Sequence, residues 1–215
     1  MSIVEETRKA LLQLFPEQAA AEAEAEAAAA AAAEAEAGAE TETDAEAELT
    51  VSEEGGEDAG GEEAAGPAKP AKEEEPVEEG PRENGVLVTD HAARGTHLDV
   101  LCDPDQVVEA ARIMDGAGFF LEAITGVDWI KEDRMEVIYD YNQTGPEPCR
   151  VVVRAFIPRA NPEIPTISDI LPGANWHERE THDFFGIKFQ GHPYLVPLLL
   201  PEDADFHPLL KDFTP

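Results

Sequence analysis

The sequence predicts an α+β fold: a single compact domain with a mixed or antiparallel sheet packed by helices, preceded by an N-terminal helix and a disordered acidic insertion. Three observations lead to this prediction. Strand-like apolar runs lie after residue 80, where they occur in blocks around one helical pattern instead of alternating regularly with helices. A short apolar stretch opens the chain. Between these two parts, from Ala19 to Gly80, the chain has no Phe, Trp or Tyr.

Residues 1–16 are predicted to form an amphipathic helix. Ser2 is a suitable N-cap, and Glu5 and Glu6 suit the positive end of the helix dipole. Pro16 is expected to end this helix, because proline interrupts the hydrogen bonds of a helix interior. Apolar side chains recur at helical spacing at Val4, Leu11, Leu14 and Phe15.

Residues 17–80 are predicted to be a disordered segment rich in Ala and Glu. Such a composition cannot bury enough apolar surface to offset the entropy lost on ordering. Ala and Glu are strong helix formers, so the first part can be helical in isolation, but it has no apolar stripe with which to dock. A solvated spacer and a tether for a basic partner are both consistent with this segment.

Residues 81–215 are predicted to form the main domain. Its first strands are expected at Val86–Val88 and His97–Cys102, and Pro104 suits the first position of the following helix. In a later strand Met135, Val137, Tyr139 and Tyr141 are predicted to share one face, with Glu136, Ile138 and Asp140 on the other. Three strands are expected after the helix, at Phe119–Val127, Met135–Tyr141 and Arg150–Ile157.

Charge and cysteine content exclude several classes of function. The formal net charge is −32, and nucleic acid binding requires clustered basic residues, so no nucleic acid partner is expected. Direct membrane insertion is not expected either, because the longest apolar-looking run, Ala27–Ala33, is far shorter than the roughly 20 residues of a membrane span. The two cysteines, Cys102 and Cys149, are too few for a four-cysteine zinc or iron–sulfur site. Both are predicted to be reduced core residues.

The segment from Pro165 to Pro193 has the highest density of charged and aromatic residues. Asn175 is predicted to cap a helix that runs from Trp176 to Phe185, with Glu178 completing a capping box. Gly186 is the expected C′ residue. So many charges beside aromatic side chains favour a helix placed between an apolar core and a charged protein surface. There Arg179 is expected to make forked contacts with carboxylates.

The same segment contains the pattern H-E-x-x-x-H, formed by His177, Glu178 and His182. A helical zinc site needs two histidines four residues apart, whereas these are five apart and point about 140° away from each other. The motif is therefore a poor match to a zinc hydrolase. The chain also has no P-loop, dinucleotide-binding glycine motif or nucleophile elbow.

The charged segment resembles the signature of the C-type (thirty-kilodalton) subunit of NADH–quinone oxidoreductase, or respiratory complex I. That signature centres on E-R-E-x-x-D, two apolar residues and Gly-Ile, and continues with Gly-His-Pro and a later H-P-L-x-K-D. The resemblance covers about residues 85–213. The residues that carry it and are candidate interface residues are Glu178, Arg179, Glu180, Asp183, Gly186, His192, Pro193, His207, Lys211 and Asp212.

This resemblance implies a structural subunit in the hydrophilic arm of an ion-translocating enzyme that passes electrons from NADH to quinone. Its implied partners are the D-type (forty-nine-kilodalton) subunit, near the quinone site, and the iron–sulfur subunits. NADH, FMN, the iron–sulfur clusters and quinone would bind in those partners, with no cofactor, metal or catalytic residue in this chain. The implied location is the cytoplasmic side of the cell membrane, where other subunits hold the chain peripherally.

Two alternatives remain open from the sequence. The family usually has paired arginines after Gly-His-Pro, whereas this chain has Val196 and Pro197, so the assembly could instead be a membrane-bound energy-converting hydrogenase or a deazaflavin-dependent dehydrogenase. The second alternative is a stand-alone acidic binding module that uses the Ala/Glu segment. Deletion of that segment distinguishes the module, which would lose binding, from a complex subunit, which would still assemble.

Overall fold

The computed structural model describes residues 2–39 and 82–214, with backbone alone for residues 28–39. By its internal contacts the chain divides into two units, one formed by residues 1–23 and 82–215 and the other by residues 24–81. The helices are α1 (Ile3–Leu11), α2 (Pro16–Ala39), α3 (His91–Arg94), α4 (Val107–Gly116) and α5 (Ala174–Phe185). The strands are β1 (Gly85–Val88), β2 (Leu98–Cys102), β3 (Phe120–Trp129), β4 (Arg134–Gln143), β5 (Cys149–Pro158), β6 (Glu163–Pro165) and β7 (Lys188–Gln190).

The first unit is built on a five-stranded mixed sheet with the order β1-β2-β5-β4-β3. Strands β2 and β5 are parallel, and the other neighbours are antiparallel. A separate parallel pair, β6 and β7, places Ile164 opposite Phe189. The predicted α+β fold with a mixed sheet is therefore confirmed.

The inner face of the sheet forms the hydrophobic core. Met135, Val137, Tyr139 and Tyr141 of β4 are all buried, as their alternation predicted. They pack in one cluster with apolar residues of β2, β5, α4 and α5. Cys102 and Cys149 are free and buried in the same cluster. Burial raises the pKa of the Cys102 thiol to about 12 and that of Cys149 to about 11, so both are poor nucleophiles at neutral pH.

Arg154 interrupts the apolar run of β5, and a row of ion pairs on the outer face of the sheet, which we call the ladder, explains its presence. The Arg154 guanidinium donates to Asp99 on β2 at 3.0 Å and to Glu136 on β4 at 2.9 Å. Arg82 pairs with Asp99 at 2.9 Å, and the Trp129 indole donates to Glu136 at 2.9 Å. The ladder therefore crosses β2, β5, β4 and β3 and holds two buried carboxylates by internal contacts.

The N-terminal segment differs from the prediction at Pro16. Ser2 caps α1 as predicted and also forms a capping box with Glu5, but the α-helix ends at Leu11 and a 3₁₀ turn follows. Phe15 is buried and lies outside both helices, and Pro16 begins α2 instead of ending a helix. Proline is well suited to that first position because no helical hydrogen bond is required of its nitrogen. The residues from Ser2 to Ala23, which we call the head segment, pack against the main domain, where Gln106 donates to the Leu14 carbonyl oxygen at 3.0 Å.

The segment predicted to be disordered begins as helix. Residues 17–39 belong to α2, and the sequence allowed a helix in the first part of this segment. The physical reason is the high helix propensity of Ala and Glu, together with a helix start that is docked on the main domain. The rest of the predicted segment, residues 40–80, lies outside the described residues. Within residues 2–39 and 82–214, none of the helices combines the length and apolar composition needed to cross a bilayer.

Candidate functional site

Helix α5 carries the charged signature and packs against β3 on the inner face of the sheet. The Thr181 hydroxyl donates to the Ile124 carbonyl oxygen at 3.2 Å, and the Phe185 ring lies against Gly126. A Cβ atom at Gly126 would lie 2.7 Å from that ring, so glycine is needed for this close packing. Gly186 ends the helix in the left-handed conformation, with φ of 74°, as predicted.

The start of α5 differs from the prediction. The helix begins at Ala174, with Gly173 as its N-cap residue and no side-chain cap. The prediction of a capping box formed by Asn175 and Glu178 is therefore wrong. Glu178 is completely buried and turns toward the segment after β6. There it accepts hydrogen bonds from the Thr166 hydroxyl and, at 2.8 Å, from the Ile167 amide. A tertiary contact thus replaces the local cap.

Glu178 is also the carboxyl with the most perturbed proton affinity at this site. Its burial raises the pKa to about 7, and the hydrogen bonds from Thr166 and Ile167 oppose this rise without cancelling it. The His192 Nε2 atom lies 3.9 Å from the carboxyl, but burial lowers the pKa of His192. Since the two shifts both favour neutral forms, this contact is not an ion pair near neutral pH.

Asp183 binds the chain that follows β7, which runs from residue 191 to 214 without regular secondary structure and which we call the tail. One carboxylate oxygen accepts from the amides of Leu198, Leu199 and Leu200 at 2.8, 2.7 and 3.2 Å. Burial opposes ionisation of Asp183, but these amides outweigh it and hold the pKa below its usual range. Asp183 is therefore a charged anchor for the tail.

Arg179 contacts the tail as well. Its guanidinium donates to the Val196 carbonyl oxygen at 3.0 Å and to that of Pro197 at 2.9 Å. Its central carbon lies 5.5 Å from the ring centroids of both Trp176 and Tyr194, which is the range of cation–π contacts. The expected forked contact thus forms with main-chain carbonyl groups of the same chain instead of with carboxylates.

A second set of anchors holds the end of the tail. Buried Asp128 of β3 accepts from Arg159 at 2.8 Å and from the Lys211 amide at 2.8 Å, and Arg159 also pairs with Asp212 at 2.6 Å. Burial tends to raise the pKa of Asp128, but Arg159 and the Lys211 amide lower it overall. His207 donates to the Asp183 carbonyl oxygen at 2.8 Å, which ties this set to α5.

The sequence did not predict that Thr166, Arg159 and Asp128 take part in this arrangement. Asp128 lies in a stretch that carries the family resemblance, and a lone acid at the end of an apolar strand is a signal that a partner exists. The partner, Arg159, lies 31 residues away, and the sequence does not point to it.

The tail presents large apolar side chains to solvent although its backbone is held in place. Trp176 on α5 is 60 % exposed, and beside it Tyr194 is 63 % exposed. Leu199 and Leu209 are 61 % and 50 % exposed. We call these four residues the tail face. The exposed Trp176 and Tyr194 rings both lie next to Arg179, and exposed aromatic side chains grouped on a fixed backbone are typical of protein–protein contact sites.

The structure brings most of the predicted residues together around α5 and the tail. Arg179, Asp183 and Gly186 contact the tail, His192 and His207 contact α5, and Glu178 binds the segment after β6. Lys211 and Asp212 contact the Asp128 and Arg159 pair. Glu180 and Pro193 are exposed at the surface of the same region.

The histidines of the zinc-like pattern have other roles. His182 donates through Nδ1 to the Ile187 carbonyl oxygen at 2.9 Å, and His177 is half-buried on another side of the helix. Among the side chains described in residues 2–27 and 82–214, there is no group of three or more His, Cys, Asp and Glu suited to a metal ion.

Comparisons with known proteins match this region. The profile of the family described as respiratory-chain NADH dehydrogenase, 30 Kd subunit, matches residues 100–215. The C-type subunit of the NADH-quinone oxidoreductase of Roseiflexus castenholzii is 40% identical over 120 residues, which are 54% of this chain and 68% of that protein. The C-type subunit of the F(420)H(2) dehydrogenase of Methanosarcina mazei is 36% identical over 114 residues, 52% of this chain and 72% of that protein.

A solved structure is also similar. A chain of the membrane-bound sulfane sulfur reductase, an archaeal respiratory membrane complex, matches with a TM-score of 0.50 and 31% identity, over 54% of this chain and 71% of that chain. The profile match includes α5, the tail and their anchors, whereas the head segment and β1 precede it.

Proposed function

Because this chain belongs to the C-type subunit family of respiratory-chain NADH dehydrogenase, we propose that it is a non-catalytic structural subunit in the hydrophilic arm of an ion-translocating NADH–quinone oxidoreductase. The chain is a complex I-type subunit, and its partners are other subunits of the same complex. In our proposal it supports the D-type subunit near the quinone site, beside the iron–sulfur subunits. Other subunits hold it on the cytoplasmic side of the cell membrane.

The tail face is the observation that supports this proposal. The backbone of the tail is held by Asp183 and Arg179, so the cost in conformational entropy of ordering a binding segment is met when the chain folds. The side chains that remain exposed include Trp176 and Tyr194, and aromatic residues are enriched among the residues that dominate binding energy. The arrangement favours a binding surface for another polypeptide.

The electron-transfer groups belong to partner subunits in this proposal. NADH, FMN, the iron–sulfur clusters and quinone bind there, and the chain contributes position and support. The charged signature residues Asp183 and Arg179 act by shaping the tail, and Glu178 holds the segment after β6 against α5, since their hydrogen bonds are made within the chain.

Affinity purification from solubilised membranes tests the role of the tail face. Trp176→Ala is expected to weaken binding to the D-type subunit by about 2 kcal/mol, or roughly thirtyfold in Kd, if Trp176 is a central contact. The variant chain alone should lose no more than about 1 kcal/mol of stability, because this side chain is 60 % exposed and its one cation–π contact, with Arg179, lies at the surface.

Phe120→Ala is the matched control for the same experiment. Phe120 is 46 % exposed and pairs with Asn142, which points to the outer face of the sheet, away from the tail. Its replacement should leave recovery of the partner unchanged. Recovery of the wild-type chain free of any D-type partner, or full binding by Trp176→Ala, would contradict the proposal.

A second candidate differs in the electron donor. The similarity to a protein named for F(420)H(2) dehydrogenase, and to a chain of a sulfane sulfur reductase complex, favours an assembly in which another module replaces the NADH-oxidising one. A membrane-bound hydrogenase module belongs to the same class. The subunits that co-purify with the tagged chain distinguish these cases, because a flavin-containing NADH-oxidising subunit occurs in the first assembly alone.

A further inference from the structure

Glu178 and His192 bring two buried titratable side chains close together. Neither side chain has any exposed surface, and the Glu178 Oε2 and His192 Nε2 atoms lie 3.9 Å apart. Glu178 belongs to α5, whereas His192 belongs to the tail and lies two residues before Tyr194 of the tail face. The pair therefore places a buried carboxyl next to a segment that leads directly to the exposed surface.

The hydrogen bonds of His192 define which ring nitrogen carries the proton. Its Nδ1 atom accepts from the Tyr194 amide at 3.1 Å, and because an amide N–H is a donor only, Nδ1 of the neutral ring is unprotonated. The proton is therefore on Nε2, which donates to the Asn175 carbonyl oxygen at 3.3 Å. That distance is longer than the usual range of about 2.7–3.2 Å. The Nε2–H group thus lies between a carbonyl oxygen that it binds weakly and a carboxyl that it does not reach.

Glu178 can gain or lose a proton without losing its other partners. In the ionised form the Thr166 hydroxyl donates to Oε2 and the Ile167 amide to Oε1. A Glu178 that is protonated at Oε2 donates to the Thr166 oxygen instead, and the Thr166 proton turns to the Ser168 hydroxyl oxygen, 2.8 Å away. The two forms therefore differ mainly on the side of His192. There the ionised Oε2 atom is a stronger acceptor, with a lone pair for a second donor.

The His192 ring is in turn connected to the aromatic part of the tail face. Tyr194 is bound to the ring through its amide, and the Tyr194 side chain lies 5.5 Å from the central carbon of Arg179. Trp176 lies at the same distance from that carbon. A displacement of the His192 ring therefore changes the arrangement of Tyr194 relative to Arg179 and Trp176.

We propose that His192 transmits the ionisation state of Glu178 to the tail face. When Glu178 is neutral, the His192 Nε2–H group donates to Asn175 and Tyr194 lies beside Arg179, as in this structure. When Glu178 ionises, it releases one proton to solvent, and the Nε2–H group of the still neutral ring donates to Oε2. Closing the distance of 3.9 Å to a normal hydrogen bond moves the ring by about 1 Å, and Tyr194 moves with it.

The surroundings of the pair make Glu178 the member that titrates near neutral pH. Burial raises the pKa of Glu178 to about 7, and burial lowers the pKa of His192. The other charged or titratable groups that act on the pair come from α5, the segment after β6 and β4, and they are Arg179, His182, Asp169, Tyr139 and Tyr141. The two cations of α5 lower the pKa of His192 further, so the ring stays neutral while Glu178 ionises.

An NMR titration of the full-length chain between pH 5.5 and pH 8.5 tests the link. The Tyr194 amide resonance is expected to shift with the same midpoint as the Glu178 carboxyl carbon, near pH 7. Glu178→Gln should abolish this shift of the Tyr194 amide, because Gln does not ionise. Glu180→Gln, at an exposed neighbour on the same helix, is the matched control and should leave the shift unchanged.

His192→Asn tests whether the signal passes through the ring. The Asn side chain can still accept from the Tyr194 amide near the position of Nδ1, but it is too short to replace the Nε2–H group. Glu178 should still titrate in this variant, whereas the Tyr194 amide should not follow it. The proposal is overturned if the wild-type Tyr194 amide does not follow Glu178, or if it still follows pH with a midpoint near 7 in Glu178→Gln. It is also overturned if the shift persists in His192→Asn, since a direct electrostatic effect of the Glu178 charge would not need the ring.

The consequence for partner binding rests on the proposed function. Because Tyr194 lies beside Arg179 when Glu178 is neutral, the D-type subunit is expected to bind about fivefold more tightly at pH 6.5 than at pH 8, as for one aromatic contact. Glu178→Gln should bind equally at both values. A Tyr194 amide that follows Glu178 in a chain that recovers no D-type subunit supports the link and contradicts the proposed function. Recovery of that subunit with equal affinity at both pH values overturns the role of the link in binding.

Discussion

At the scale of single residues, Glu178 shows how a signature carboxyl acts within the fold. It is completely buried between α5 and the segment after β6, and its pKa is raised to about 7. The groups that face it are the Thr166 hydroxyl, the Ile167 amide and a His192 ring whose own pKa is lowered. Asp169 adds a repulsive charge. Within the described part of the chain no cation lies at hydrogen-bond distance, so the buried carboxyl is held by hydrogen bonds whose donors are neutral.

Glu178→Gln is expected to change the pH dependence of stability. The folded-state pKa lies above the unfolded value of about 4.3, so the stabilisation is fully present below that value and is lost as the pH rises through about 7. Gln does not ionise; its Oε1 atom can accept from the Ile167 amide, and its NH2 group then donates to the Thr166 hydroxyl oxygen instead of accepting from it. The free energy of unfolding of the variant, relative to wild type, should therefore increase by about 3 kcal/mol between pH 4 and pH 8.

Urea unfolding of the isolated chain at several pH values measures this difference. Glu180→Gln, at an exposed neighbour on the same helix, is the control and should show a constant difference from wild type. A constant difference for Glu178→Gln as well would show that Glu178 does not titrate with the raised pKa.

At the scale of elements, the tail is ordered by side chains from elsewhere in the chain. It has no helix or strand of its own, and Asp183, Arg179 and Asp128 supply its main hydrogen bonds. One Asp183 carboxylate oxygen accepts hydrogen bonds from the backbone N–H groups of three consecutive residues, as a bound anion does in a nest of N–H groups. The exposed tail face is therefore fixed by α5 and β3, although its residues follow both in the chain.

Asp183→Asn is expected to loosen the tail. The neutral amide oxygen is a weaker acceptor than a carboxylate, and hydrogen bonds to charged groups contribute about 1.5–3 kcal/mol each, so a loss of about 2 kcal/mol in stability is expected. The amides of Leu198, Leu199 and Leu200 should exchange faster in hydrogen-exchange measurements. Asp203→Asn, at an exposed tail residue, is the control. Unchanged protection of the three amides would show that the anchor is dispensable.

The pH response of the same variant has a defined sign. The pKa of Asp183 is lowered in the fold, so its contribution is present above the unfolded value and is lost as the pH falls through the folded value. Because the variant lacks this contribution at every pH, the difference in stability between wild type and variant should become smaller as the pH falls.

At the scale of the whole molecule, the chain consists of a compact unit and the acidic segment at residues 24–81. The compact unit already contains the sheet, α4, α5, the tail and the head segment through Ala23. The core contacts and the tail anchors described above are all made among residues of this unit. The family profile also begins after that segment, at residue 100.

Replacement of residues 24–81 by a ten-residue Gly/Ser linker is expected to leave the fold intact. Loop-closure entropy changes by about 0.6 kcal/mol for each halving of loop length, so stability should change by no more than about 1–2 kcal/mol. Purification from membranes should recover the same partner subunits. Loss of those partners would instead favour the acidic binding module.

Most regular elements of the main domain were predictable because their signals are local. The alternation of Met135, Val137, Tyr139 and Tyr141 identified β4 and its inner face, and Gly186 marked the end of α5. The start of α5 was not predictable in this way. A capping box at Asn175 agrees with every local rule. In the structure Glu178 is instead buried and accepts a hydrogen bond from Ile167, in the segment after β6, so the box does not form.

The sequence by itself determined the α+β class, the order of the strands along the chain and the family signature, because these depend on neighbouring residues and on the residue types at fixed spacings. The tertiary structure alone decided which groups the polar side chains bind. Glu178 reaches Ile167 across 11 residues, Arg179 reaches Val196 across 17 and Gln18 reaches Val86 across 68. Such pairs form only where the packed sheet and helices bring distant segments within hydrogen-bond distance, so no local pattern in the sequence indicates them.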